Sequence, residues 1–148
     1  MEDTRLKQSE EALAEIYRNA ALAQQSISNI LPQVEDEKMR AEITAQHEEY
    51  EKISGRAAAL AKDKGLEVKE PSPFKKVMMW GSIKMSSMAD NTTPHIAEMM
   101  LQGTLMGITA LRKTKSELPT EFDEEITALL KDYIALEEKF EKRLKAYL

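Results

Sequence analysis

The chain has 148 residues, with 21 Lys and Arg against 26 Asp and Glu, nine Met and no Cys. The lack of Cys excludes disulfides and Cys-ligated metal sites. The net charge of −5 argues against a phosphate-backbone binder, because such proteins cluster Lys and Arg. The sequence contains no apolar run long enough for a membrane span and no secretory signal. We therefore expect one cytoplasmic domain, residues 1–148, that binds neither nucleic acid nor membrane.

The prolines divide the chain into segments in which apolar residues recur with a helical period. Helices are predicted over residues 4–31, 35–64, 74–89, 94–115 and 120–147. Thr93 and Pro94 read as an N-cap and a first helical residue, and Thr120 is expected to cap the last helix together with Asp123. Residues 90–93 form either a break between two helices or a kink in one longer helix.

Each of the four long predicted helices has one stripe of apolar residues along its length. The stripes of neighbouring helices face each other if the four helices form two antiparallel hairpins. In the first hairpin this matching places Gln46 opposite Ala20, and in the second it places Glu98 opposite Glu137. Each hairpin leaves a second apolar flank of its helices exposed, so we expect the two hairpins to pack together through these flanks. The sequence therefore predicts an all-α, up-down four-helix bundle, with an extra short helix or a kink in the crossover between helices two and three.

Polar residues interrupt the stripes of the first two helices at Gln24, Gln46 and Tyr50. A buried amide or phenol without a partner costs about 1–3 kcal/mol, so we expect these side chains to share hydrogen bonds or water. They form either a polar layer that fixes the register of the helices or a pocket for a metal or another ligand.

The third helix carries His95, Glu98 and Gln102 on one face, near Glu137 of the fourth helix. Histidine and carboxylates from facing helices of a bundle are suitable ligands for iron, manganese or zinc. We therefore consider His95, Glu98 and Glu137 as a candidate metal site and Gln102 as part of the polar layer. The alternative is a solvated or ion-paired flank.

The segment before the third long helix is rich in methionine and is apolar on two faces. Its large apolar residues are Met78, Trp80, Ile83, Met85 and Met88. A helix with two apolar faces buries both of them only by packing against two surfaces. We therefore expect this helix to pack on the bundle with one face and to form a homodimer contact with the other. Met85 and Met88 could instead bind copper(I) through their thioethers.

The predicted architecture, which covers nearly all of residues 4–148, resembles the ferritin-like superfamily. In particular it is similar to small bacterial ferritin-like proteins with a stretch like His95-Ile-Ala-Glu-Met-Met-Leu-Gln-Gly. The resemblance implies a dinuclear metal centre, made by one Glu from each of two helices and a Glu-x-x-His motif from each of the others. In this chain the motif positions hold Gln46 and Glu49 in helix two and Glu137 and Phe140 in helix four, so both motifs are incomplete.

Three functions remain open at this point. The first is a non-catalytic ferritin-like bundle with a structural or protein-interaction role, acting as a homodimer. The second is a metal-binding protein or oxidoreductase that uses an atypical site of His95, Glu98 and Glu137 with iron, manganese or zinc. The third is a binding protein that holds a small organic ligand beside Gln24, Gln46 and Tyr50.

Overall fold

The computed structural model describes residues 2–66 and 92–148. Within these residues the helices are α1 (Glu2–Ile30), a 3-10 turn (Leu31–Gln33), α2 (Glu37–Asp63), α3 (Thr93–Glu117) and α4 (Glu124–Lys145). No β-strand occurs in this part of the chain, which confirms the all-α prediction. None of the described helices combines the length and the apolar character that crossing a membrane requires.

The start of α4 differs from the prediction. Asp123 is the N-cap, and its carboxylate accepts hydrogen bonds from the backbone N–H groups of Glu125 at 2.9 Å and Ile126 at 3.1 Å. A carboxylate at this position satisfies two of the orphan donors of the first turn and complements the helix dipole. The predicted start at Thr120 is therefore wrong, and residues 118–123 form the connection from α3 to α4.

The start of α3 lies one residue earlier than expected. Thr92 is the N-cap, with extended backbone angles of φ −66° and ψ 150°, and Pro94 lies in the first turn of the helix. The helix therefore does not continue backwards through Thr92. The predicted short helix over 74–89 lies outside the described residues.

Ion pairs join α2 to α4 along most of their length. They are Lys64 with Asp123 at 2.7 Å, Arg56 with Asp132 at 3.1 Å, and Arg143 with Glu42 at 3.7 Å. Residue numbers fall along α2 as they rise along α4, so these two helices are antiparallel neighbours.

The register between α1 and α2 differs from the prediction. The contacts that set it are Gln24 Nε2 with Ser54 Oγ at 3.0 Å and Ser28 Oγ with His47 Nε2 at 3.5 Å. Each α1 residue therefore faces a part of α2 about two and a half to three and a half turns later than predicted, and the placement of Gln46 opposite Ala20 is wrong. The 3-10 turn and the extended residues Val34 and Asp36 carry the chain beyond the end of α1 before α2 begins.

The register between α3 and α4 is shifted in the same way. Arg112 donates to Glu138 at 2.6 Å, and a Cβ added to Gly107 would lie 3.3 Å from Glu137 Oε2. Glu137 is thus beside Gly107, about two and a half turns from the predicted partner Glu98. The later start of α4, after Asp123, moves its residues along α3.

The helix directions follow from these contacts and from the neighbours of α1. Residues 8–18 of α1 lie beside 110–118 of α3, and residues 19–27 lie beside 100–113, so α1 is antiparallel to α3 as well as to α2. Consequently α2 and α3 run in the same direction. The end of α2 and the start of α3 lie at opposite ends of the helices, separated by about 40 Å, the length of a 27-residue helix.

One hydrophobic core runs between the helices. Its largest fully buried side chains are Leu13, Ile16, Met39, Ile43, Ile96, Leu111, Ile126, Leu129, Leu130, Tyr133, Phe140 and Leu144. All four helices contribute to this list, because each turns one apolar stripe inward. Leu6 is 49% exposed, since the first turns of α1 extend beyond the end of α2.

Candidate ligand-binding cavity

A cavity of about 490 Å³ lies between the four helices and opens to solvent on one side. This volume is within the range of small-molecule sites, about 300–1,000 Å³. Most of the wall is apolar, and the side chains that give it polar character are Asn19, Ser26, Gln46, Tyr50, Thr104, Thr109, Lys113, Tyr133 and Glu137. A largely apolar wall with a few convergent polar groups is the ordinary composition of a ligand site.

Glu137 of α4 is the carboxylic acid that the fold buries in this wall. Its side chain is on the inner face of α4, and the residue is only 2% exposed. Burial raises the pKa of Glu137 to about 8, and the Tyr50 hydroxyl, within hydrogen-bonding reach, opposes this rise. The carboxyl is therefore mostly protonated at pH 7, as expected for a group removed from water without a cationic partner.

Aromatic rings surround the carboxyl. The rings of Tyr50 and Tyr133 meet edge to face with centroids 6.1 Å apart, and Tyr50 meets Phe140 in the same way at 5.3 Å. Burial, followed by the nearby Glu137, raises the pKa values of both tyrosines well above their usual value. Both phenols therefore stay neutral over the physiological range.

Gln46 of α2 presents an unsatisfied acceptor. Its residue is completely buried, and its Nε2 donates to Glu42 Oε2 at 3.3 Å. Among the described residues, Gln46 Oε1 is the only buried side-chain nitrogen or oxygen without a hydrogen-bond partner. An orphaned buried acceptor costs about 1–3 kcal/mol, so this side chain is retained at the expense of stability.

Two glycines of α3 contribute to the cavity wall. Gly103 and Gly107 both line it, one turn apart on the same face of the helix. A Cβ at Gly107 would come within 3.3 Å of Glu137 Oε2, so the missing side chain allows the carboxyl to approach the α3 backbone. Thr104, between them, donates to the Met100 carbonyl at 3.0 Å and also lies within hydrogen-bonding reach of the Tyr50 hydroxyl, where it lowers the pKa of that phenol.

The open side of the cavity lies along α3. Leu105 is 43% and Met106 is 47% exposed, although both are large apolar residues that line the cavity. Both side chains therefore lie at the rim of the cavity. Lys113, also exposed, is the cationic residue of the rim.

The structure brings together part of the predicted polar layer. Gln46 and Tyr50 both line the cavity. Gln24 does not, because its amide donates to Ser54 Oγ at 3.0 Å and to the Tyr50 carbonyl at 3.5 Å. Gln102 is exposed on the outer surface of α3.

The predicted metal ligands are not brought together. Glu137 is buried in the cavity, whereas Glu98 is exposed and His95 is half-buried near the start of α3. Within residues 2–66 and 92–148, no group of three or more His, Cys, Asp or Glu side chains could hold a metal ion. The candidate interface residues Met78, Trp80, Ile83, Met85 and Met88 lie outside the described residues.

The positions that would hold a dinuclear metal centre in ferritin-like proteins do not fit one here. Gln46 offers a neutral amide, and Phe140, which has no donor atom, packs against Tyr50. Glu49 forms an ion pair with Lys52 at 3.1 Å at the surface. Among these four positions Glu137 alone brings a carboxyl into the core, and no chemistry through a metal pair can be derived from this set.

The sequence analysis missed the contributions of α3. Met100, Gly103, Thr104 and Gly107 all line the cavity, although none was a predicted site residue. The spacing of the two glycines by four residues is the signal that could have found them, because it marks one helix face without side chains.

No protein-family model, no curated protein and no solved structure matches this chain.

Proposed function

We propose that this protein is a ferritin-like four-helix bundle without a dinuclear metal centre, and that it binds a small organic molecule in the cavity between its helices. The helix directions support the bundle type. Ferritin-like folds join two helix hairpins by one long crossover, which makes the second and third helices parallel. The opposite positions of the end of α2 and the start of α3 support this bundle type.

The observation that carries the binding function is the pairing of two costly polar groups in one cavity. Gln46 Oε1 is buried without a partner, and Glu137 is a carboxyl held almost entirely out of water. Both residues line the same cavity of about 490 Å³. Natural proteins retain such unfavourable groups mainly where a ligand or a reaction uses them.

A purely structural role, with the bundle acting as a homodimeric scaffold, is the competing proposal. It treats Gln46 and Glu137 as a polar layer that fixes helix register. In that case substitutions at the two positions change stability and oligomeric state only. In the binding proposal the same substitutions also change the response to added small molecules.

A fragment panel tests the binding function. Amines, alcohols and carboxylic acids of six to ten heavy atoms are added to the wild-type protein and to Gln46→Met, with Glu98→Gln as a surface control. A ligand at 100 times its Kd raises the free energy of unfolding by about 2.7 kcal/mol. At least one fragment should stabilise the wild type and Glu98→Gln but not Gln46→Met. The proposal fails if no fragment stabilises the wild type, or if all three proteins respond equally.

A further inference from the structure

We propose that the cavity selects a small primary amine, whose ammonium group lies between the Glu137 carboxylate, Gln46 Oε1 and the Tyr50 hydroxyl. This inference rests on the proposed function, because it names the ligand class for the same cavity.

The hydrogen-bonding character of the wall favours a cationic donor. Gln46 Oε1 is a buried acceptor without a partner, and the Glu137 carboxyl has two oxygens. An ammonium group has three donors and no acceptor, so it matches this set. An anionic ligand would face these oxygens, with Lys113 at the rim as the cation of the wall.

The register places the three partners of the ammonium close together. The ion pairs Arg56–Asp132 and Glu42–Arg143 put Tyr50 and Glu137 at the same level of α2 and α4. Gln46 precedes Tyr50 by one turn on the same helix face, where Cβ atoms are about 5–6 Å apart. The three residues therefore lie within about one helical turn of one another along the cavity wall.

The apolar part of the cavity wall can pack against an apolar or aromatic group of the ligand. Leu22, Ile27 and Met100 line the cavity, and Met100 is a flexible side chain that adapts to different shapes. The rings of Tyr50 and Tyr133 also attract a cation that approaches within about 6 Å of their faces. The ligand class is therefore an amphipathic amine.

Binding of the ammonium displaces one proton. In the free protein the Glu137 carboxyl holds its proton at pH 7, because burial raises its pKa to about 8. When the ammonium takes its place, the carboxyl releases this proton to solvent and becomes the anionic partner of the cation. The titratable groups that face Glu137 are Tyr50 from α2, Tyr133 from α4 and Lys113 at the rim on α3, while α1 adds only uncharged side chains.

Isothermal titration calorimetry with three isosteric probes tests the ligand class. The probes are 2-phenylethylamine, 2-phenylethanol and phenylacetate, and each is titrated at pH 7 in two buffers that differ in ionisation enthalpy. The amine should bind about tenfold or more tightly than the alcohol, as charge-assisted hydrogen bonds predict, and phenylacetate should bind weakest. Amine binding should release about one proton, whereas alcohol binding should release none.

Variants separate this inference from the proposed function. Glu137→Gln should lose the preference for the amine and the proton release while still binding the alcohol, and Glu98→Gln should behave as the wild type. If the alcohol binds as tightly as the amine, or if amine binding releases no proton, the amine inference is overturned and the binding function stands. If none of the probes binds, the amine inference is also overturned, and the fragment panel decides the binding function.

Discussion

The Tyr50 hydroxyl of α2 lies within hydrogen-bonding reach of the buried Glu137 carboxyl of α4. This contact joins the two hairpins at the wall of the cavity. It also lowers the pKa of Glu137 against the larger effect of burial, because a phenol donates to the ionised form. The protonation state of Glu137 therefore affects both the free energy of unfolding and the proposed ligand binding.

The stability of the protein should fall as the pH rises towards 8. The folded pKa of Glu137, about 8, is above the usual value of 4.5, so between these values the folded state holds a proton that the unfolded state has lost. From this group alone, the free energy of unfolding falls by about 1.4 kcal/mol per pH unit in that window and levels off above it. Urea unfolding between about pH 5 and 8 measures the slope.

Glu137→Gln should remove this pH dependence, since the amide does not titrate. The matched control is Glu138→Gln, whose exposed carboxylate pairs with Arg112 at the surface. The difference between wild type and Glu137→Gln should narrow at low pH and widen towards pH 8, whereas Glu138→Gln should follow the wild type. Parallel profiles for all three proteins would show that Glu137 is not buried as described.

Tyr50→Phe should raise the pKa of Glu137 further. The substitution removes the hydroxyl that stabilises the ionised carboxylate and keeps the ring that packs on Phe140. The pKa is measured by NMR titration of the ¹³C-labelled side-chain carboxyl. Tyr133→Phe is the control, because Tyr133 contributes to the wall without lowering the Glu137 pKa. An unchanged or lower pKa in Tyr50→Phe would contradict the contact.

Gln46→Met should stabilise the free protein by about 1 kcal/mol. The substitution conserves volume and removes the orphaned Oε1, and this gain exceeds the loss of the 3.3 Å hydrogen bond to Glu42. Gln24→Met is the matched control and should be destabilising, because that amide is hydrogen-bonded to Ser54. Chemical denaturation at pH 6 measures both variants. Equal destabilisation would refute the assignment of Gln46 as an unsatisfied group.

Two Gly-to-Ala variants measure the crowding at Glu137. Gly55→Ala in α2 meets no atom within 4 Å and should raise the free energy of unfolding by about 0.5–1 kcal/mol through helix propensity. Gly107→Ala gains the same propensity, but its Cβ would lie 3.3 Å from Glu137 Oε2, so the net gain should be smaller. Denaturant midpoints compare the two variants. Identical gains would mean that the carboxyl does not approach α3.

The sequence was sufficient to predict the four described α-helices but not how they pack. Periodicity identified α1 and α2 to within a few residues, because their stripes are long and regular. The registers were wrong for the same reason: a stripe that repeats every turn or two matches its neighbour at several offsets. The 3-10 turn after α1 and the Asp123 cap of α4, which decide between those offsets, depend on local backbone geometry.

The candidate site was predictable only in part. Gln46, Tyr50 and Glu137 were identifiable as polar residues in or beside apolar stripes. Their common cavity was not, because it depends on the register and on the missing side chains of α3 at Gly103 and Gly107.

Binding of a small primary amine in this cavity is the central proposal for this protein. The most direct measurement is a methyl NMR titration of ¹³C-Met-labelled protein with 2-phenylethylamine. The methyl signals of Met100 and Met106, which line the cavity, should shift and saturate, while that of Met39, buried elsewhere in the core, stays unchanged. The same titration of Gln46→Met should need a higher amine concentration for saturation. Unchanged Met100 and Met106 signals at millimolar amine, or equal shifts at Met39, would contradict the claim.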